Sequence, residues 1–199
     1  ITASRTVAIR DNQVNDNVGH GIWFDLSSVG ITIDSNTASR NSEAGIHVEV
    51  SAQAAVSDNV ADDNGRGIYI VETNDVQVTG NQTSFNERNI LVLDGYRDGN
   101  GCVDREVGAV HTPPIDSRYG CQWPTVKWNI DNLVIANNTV VGGSPGYTYA
   151  AMIEINHVAY PERDIGGEDR RVSAEAMHVT IGANHFRRTT ADVPQRVIV

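Results

Sequence analysis

Apolar residues in the first half of this chain come in short alternating bursts, and no stretch shows helical spacing of useful length. One burst has the form apolar-x-apolar-x-x-Asn and occurs four times: Val7, Ile9 and Asn12; Ile31, Ile33 and Asn36; Ala54, Val56 and Asn59; Val76, Val78 and Asn81. A second asparagine follows five places after each first one, at Asn17, Asn41, Asn64 and Asn86. Beyond it a glycine or turn residue opens another burst: Ile22-Trp23-Phe24-Asp25, Ile46-His47-Val48-Glu49, Ile68-Tyr69-Ile70-Val71 and Ile90-Leu91-Val92-Leu93. The first asparagines are 24, 23 and 22 residues apart. Period-2 alternation over so few residues predicts strands rather than helices.

Two or three such strands joined by polar corners cannot bury a core by themselves. They must coil, so that each strand pairs in parallel with its copy one turn later, about 4.8 Å away. Like residues then stack in columns: Ile22, Ile46, Ile68 and Ile90 in one inward column, and Phe24, Val48, Ile70 and Val92 in the next. The corner asparagines stack in the same way, as internal ladders whose side-chain amides bond one another, each bond contributing about 0.5–1.5 kcal/mol.

The recurring Asn and Gly-Ile positions, kept in register over residues 5–94, 132–155 and 178–186, resemble the parallel β-helix repeat family. That family comprises the right-handed helices of pectate lyases, polygalacturonases, alginate lyases, mannuronan C5-epimerases and phage tailspikes. The resemblance implies one all-β domain over residues 1–199, a right-handed solenoid of about six turns. It also implies a polysaccharide partner and an enzyme of the lyase, epimerase or glycoside hydrolase kind, with a non-catalytic stalk, adhesin or tailspike segment as the alternative. The catalytic signatures of those enzymes are not complete in this chain. There is no Tyr-Gly-x-Asp-Pro-His run of the mannuronan epimerases and no convincing Asn-x-Asp with Asp-Asp of the polygalacturonases. The single lysine, Lys127, leaves no counterpart for the Lys and Arg pair of calcium-dependent lyases.

The first ladder resumes at Asn138 and Asn184, after gaps of 57 and 46 residues from the preceding rungs. Against the repeat these gaps place two insertions, at about 95–131 and 156–177, each leaving the coil after the Gly-Ile-type burst. Insertions at one position of a solenoid repeat emerge on one side, commonly the binding side. Tyr96, Arg97 and His157 lie at their roots beside Asp94 and Glu154, a mixture of rings and charges suited to holding sugar. Solvated loop surface is the plainer role for any one of them.

Fifteen basic residues against 25 acidic ones give a net charge of −10, which argues against a nucleic-acid partner. No run of 18 apolar residues is present, so no helical membrane span is expected. Cys102 and Cys121 both fall in the first insertion. A disulfide between them would staple that loop by about 3 kcal/mol and would indicate a secreted, periplasmic or cell-surface protein; a pair of free thiols is the alternative. Asp98, Asn100 and Asp104 form an oxygen-rich run and are the sequence's candidate for a calcium site. The chain opens inside a repeat without the amphipathic helix that commonly caps such a solenoid. It is therefore read as part of a longer protein, with contacts to further chain or to other subunits.

With Ile22 and Phe24 inward, Trp23, His47 and Tyr69 form an outward column of rings, and Asp25 and Glu49 an outward pair of carboxylates. Elimination or epimerisation at a uronate needs a base and a cation, which assigns His47 or Tyr69 as base and Arg66 or Arg88 as charge partner. Hydrolysis needs two carboxylates, which assigns Asp25 and Glu49. Binding alone needs only the rings, Trp23 foremost, and hydroxyl partners. Half-buried strand formers and solubilising surface charges are the plainer roles for these same residues.

Overall fold

The computed structural model describes residues 1–94, 126, 130–142, 150–157, 178–187 and 195–198. Seventeen strands among them coil into three parallel sheets. The first sheet holds β1 (Arg5–Arg10), β3 (Val29–Asp34), β6 (Ala52–Ser57), β9 (Asn74–Thr79), β12 (Asp131–Ala136) and β15 (Val179–Gly182). The second holds β4 (Thr37–Ser39), β7 (Val60–Asp62), β10 (Gln82–Ser84), β13 (Thr139–Val141) and β16 (His185–Arg187). The third holds β2 (Ile22–Phe24), β5 (Ala44–Glu49), β8 (Arg66–Val71), β11 (Arg88–Asp94), β14 (Ala150–His157) and β17 (Gln195–Ile198). Register follows the repeat: Ile22 pairs with Ile46, Ile46 with Ile68, Ile68 with Ile90 and Ile90 with Ile153. These columns, with Ile31, Ile33, Val56, Val76, Val78, Leu133 and Ile135 from the first sheet and Ala38, Ala61 and Val140 from the second, make one continuous core.

The corners are set by backbone conformation and sealed by side-chain amides. The residue before each ladder asparagine is left-handed: Asp11, Ser35, Asp58, Gly80, Asn137 and Ala183 in one row, Asp16, Arg40, Asp63 and Phe85 in the other. Short polar side chains tolerate that conformation best, and an ordinary residue loses about 1–2 kcal/mol there, which accounts for the aspartates and the glycine. In the first ladder Asn36 Nδ2 donates to Asn59 Oδ1 at 3.0 Å, and Asn59 Nδ2 to Asn81 Oδ1 at 2.9 Å. The ladder continues through Asn138 to Asn184 at 3.0 and 2.9 Å. Each oxygen also accepts the backbone N–H of the previous rung, and each amide also donates to a carbonyl one turn back, as Asn59 does to Ile33. All the amide's bonding capacity is used in a dry interior, where an unmet group would cost about 1–3 kcal/mol.

The third corner carries hydroxyls instead: Ser4 meets Ser28 at 3.0 Å, and Thr73 Oγ1 accepts the Ser51 amide at 3.4 Å. The insertions leave the coil at this corner. Only two residues separate β5 from β6, whereas 95–130 lie between β11 and β12, and 158–178 between β14 and β15. Asp131, Asn156 and His157, counted within the insertions by the sequence spacing, lie in strands. A third excursion, 142–149 between β13 and β14, was hidden in the 46-residue gap. Val126 of the first insertion is fully buried with Val29 and Ala52 of the earlier turns.

Candidate functional site on the outer face of the third sheet

Parallel register carries Trp23 onto His47, His47 onto Tyr69, Tyr69 onto Leu91 and Leu91 onto Glu154. The rings stack. Trp23 and His47 lie 5.7 Å apart between centroids and are tilted by 3°, and His47 and Tyr69 lie 4.5 Å apart at 21°. Trp23 is 43% exposed and His47 only 5%, so the indole forms the open end of the column and the imidazole its sandwiched middle. The Arg66 guanidinium stands over the Tyr69 ring, 4.9 Å from its centroid, a favourable placement of a cation on a π-face. Burial raises the Tyr69 hydroxyl pKa, with Arg66 pulling the other way, so Tyr69 is a protonated donor at neutral pH.

His20 completes the cluster. It precedes Gly21, one rung below the start of β5, and tilts against both Trp23 (5.0 Å) and His47 (4.6 Å). Its Nδ1 accepts the Ala44 amide at 3.2 Å, and its Nε2 lies 3.4 Å from His47 Nδ1 and 3.2 Å from a Glu43 carboxylate oxygen. Burial lowers the His20 pKa below the ordinary histidine value; Glu43 raises it and Arg66 lowers it further. On the far side His47 Nε2 is 3.7 Å from Glu49 Oε2. Burial thus favours the neutral forms of His20 and Tyr69, and carboxylates and one guanidinium edge the cluster.

A family model described as Right handed beta helix region matches residues 1–83. Among solved structures, the Azotobacter vinelandii mannuronan C-5 epimerase AlgE6 A-module matches with a TM-score of 0.50 at 14% identity, over 98% of this chain and 51% of that one. The AlgE4 A-module of the same organism matches with a TM-score of 0.46 at 13% identity, over 97% and 58% of the two chains. The chain is a right-handed parallel β-helix. It spans about half the length of these A-modules. None of the curated proteins matches it.

On this β-helix the predicted site residues separate into groups. Trp23, His47, Tyr69 and Arg66 come together in the ring cluster, with Glu49 beside them. Asp25 turns one carboxylate oxygen to the Leu26 amide at 2.6 Å. Arg88 and Glu154 pair with each other at 2.8 Å two rungs up, and Asn156 donates to the other Glu154 oxygen at 2.6 Å. Asp94 stands apart from the ring cluster's open face. It is buried and accepts the Ile130 amide at 3.0 Å, fixing the point where the first insertion rejoins the coil. His157 lies in register with Asp94 at the end of β14. Tyr96, Arg97, the Cys102 and Cys121 pair, and the Asp98, Asn100 and Asp104 run lie outside the described residues. No group of three or more metal-ligating side chains occurs among the described residues. His20 and Glu43 were missed because they flank the glycine burst instead of belonging to it; the register that aligns position 20 with Ala44 would have found His20.

Proposed function

We propose that this β-helix seats a polysaccharide along its axis on the outer face of the third sheet, as a module of a polysaccharide-processing protein. The observation that carries the reading is the ring column, Trp23 on His47 on Tyr69, rising with the helix rungs and flanked by Arg66. Pyranose rings present C–H faces that pack on aromatic faces, while a guanidinium fork and a phenol hydroxyl supply directed donors. Such a partner agrees with a secreted, periplasmic or cell-surface setting.

For elimination or epimerisation Tyr69 fits the acid, because burial keeps its proton on. His47 fits the base only when its contact with His20 is released, since that contact occupies Nδ1. Hydrolysis by Asp25 and Glu49 is the less favoured chemistry: Asp25 is turned to the Leu26 amide and Glu49 is buried against His47. A second reading, a non-catalytic structural segment, is favoured by the burial of Leu91, Glu49 and Glu154 on this outer face.

The test is a glycan panel read for binding, for unsaturated-uronate absorbance and for new reducing ends, with and without Ca²⁺. Binding that weakens about fivefold in Trp23→Ala, the value of one lost stacking contact, supports the proposal. Absorbance that disappears in Tyr69→Phe assigns elimination. Silence in all three channels from a folded sample overturns the proposal and leaves the structural reading.

A further inference from the structure

We infer that His20 is a positioning residue that dictates which nitrogen of His47 carries the proton, holding the middle ring of the column neutral with its Nε2–H turned to Glu49. The Ala44 amide opens β5, and its direction is fixed by the strand; it points at His20 Nδ1 from 3.2 Å. A nitrogen that accepts an N–H cannot carry a proton, so neutral His20 carries its proton on Nε2. That nitrogen is 3.4 Å from His47 Nδ1. An N–H can face it only if His47 Nδ1 presents a lone pair, which puts the His47 proton on Nε2, 3.7 Å from Glu49 Oε2. One strand amide thus sets two tautomers in series.

The arrangement is sensitive to acid by construction. A proton can be added only at Nδ1 of one ring, so it must break either the Ala44 bond or the contact between the two histidines. The charged and titratable groups around the pair, among the described residues, are Glu43 and Glu49 on the β5 segment, Arg66 and Tyr69 on β8, and Asp25 after β2. Arg66 and burial oppose the added charge, and Glu43 favours it. Once charged, His20 carries a proton on Nδ1 and loses the Ala44 bond, while its Nε2–H stands 3.2 Å from Glu43. The consequence for sugar seating rests on the proposed function: the column offers a neutral face in neutral solution and a partly cationic one in acid. The tautomer assignment itself requires no glycan.

The measurement is long-range ¹H–¹⁵N NMR of the imidazole nitrogens at about pH 7.5, above the ordinary histidine titration. Native protein should show His20 and His47 each in the Nε2–H form alone. His20→Ala should turn His47 into a mixture of tautomers, and His20→Gln, whose amide N–H reaches toward His47 Nδ1, should restore the single form. His20 is half-buried at the surface, and unchanged strand amide shifts would verify that both variants fold. A native His47 protonated at Nδ1, or a His47 tautomer indifferent to His20→Ala, overturns the inference. Silence of the glycan panel would remove the proposed function and leave this result standing.

Discussion

The two asparagine ladders begin alike and end differently. The first runs six rungs from Asn12 to Asn184 and passes both long insertions without a break. The second runs only from Asn17 to Asn86. It stops on Asn89 of its own turn, which accepts the Asn86 amide at 2.9 Å and passes a bond on to the Val141 carbonyl at 3.1 Å. The insertions explain the contrast by where they leave. Those after β11 and β14 depart from the hydroxyl corner, so the corner between the first two sheets keeps its stacking partners. The excursion at 142–149 departs from the second ladder's own corner, where earlier turns have three or four residues. The next rung is Gly143 in sequence, and a polar cap from Asn89 takes its place. A ladder tolerates length added elsewhere and ends where length is added to its own corner.

The largest effect should come from the middle of the unbroken ladder. Asn59→Ala strips partners from the Ile33 carbonyl and from the backbone and side-chain N–H groups of Asn36, all in a dry interior. At about 1–3 kcal/mol for each stranded group, partly relieved by relaxation, the loss should be about 4 kcal/mol and Tm should fall by about 10 °C. Asn12→Ala, at the exposed first rung, should cost about 1 kcal/mol or less. Equal losses at the two positions, measured by denaturant unfolding, would mean that burial does not give the ladder its value.

Next in size is the packing beneath the second ladder. A Cβ on Gly67 would run into the Asn89 carbonyl oxygen and stand 2.7 Å from Asn86 Nδ2. Gly67→Ala should therefore destabilise by about 2–3 kcal/mol, the range for overpacking. Gly182, whose Cβ would meet nothing within 4 Å, should accept alanine almost silently. Smaller still is the cap. Asn89→Gly restores the glycine that the earlier turns carry at this place, yet strands the Asn86 amide and the Val141 carbonyl, and should cost about 1–2 kcal/mol. A gain in stability would show that the glycine, and not the cap, suits this rung.

Why the ladders were legible and the site only partly so follows from the same geometry. Asn36, Asn59 and Asn81 recur because each bonds a copy of itself, so sequence identity and spatial contact coincide. Trp23, His47 and Tyr69 differ in type but share a register position, and alternation alone placed them in one column. His20 bonds Ala44 and His47, residues unlike itself and 24 and 27 positions away, so the register brings position 20 to Ala44 but likeness of residue type gives no sign of the contact. Asp94 is marked in the sequence by its place at the root of the first insertion. Its carboxylate accepts the Ile130 amide just before β12, a contact 36 positions away that the repeat does not anticipate.

The smallest effect separates the ladders from the ring column by acid. Asparagine amides do not titrate in the ordinary range, so ladder variants should lower the whole stability curve without changing its shape between pH 7 and about pH 5. His20 does titrate. Its folded pKa lies below the ordinary value of 6.5 because burial disfavours the charged form, so the unfolded chain binds more protons than the folded one in the window below 6.5. Stability due to neutral His20 is then complete above that value and is lost as pH falls through it toward the lower folded pKa. The remaining solvent contact of the His20 side chain, 15% exposed, keeps the effect modest. Asp16, whose pKa Arg40 lowers from 3.8, acts only in more acidic solution and does not confuse the window. The measurement is the difference in urea stability between native protein and His20→Gln from pH 7 to 5: the native curve should fall more steeply, and Asn59→Ala should retain the native slope. Parallel curves for native protein and His20→Gln would show that the histidine is not held neutral by the fold, and that the outer face is as indifferent to acid as the ladders beneath it.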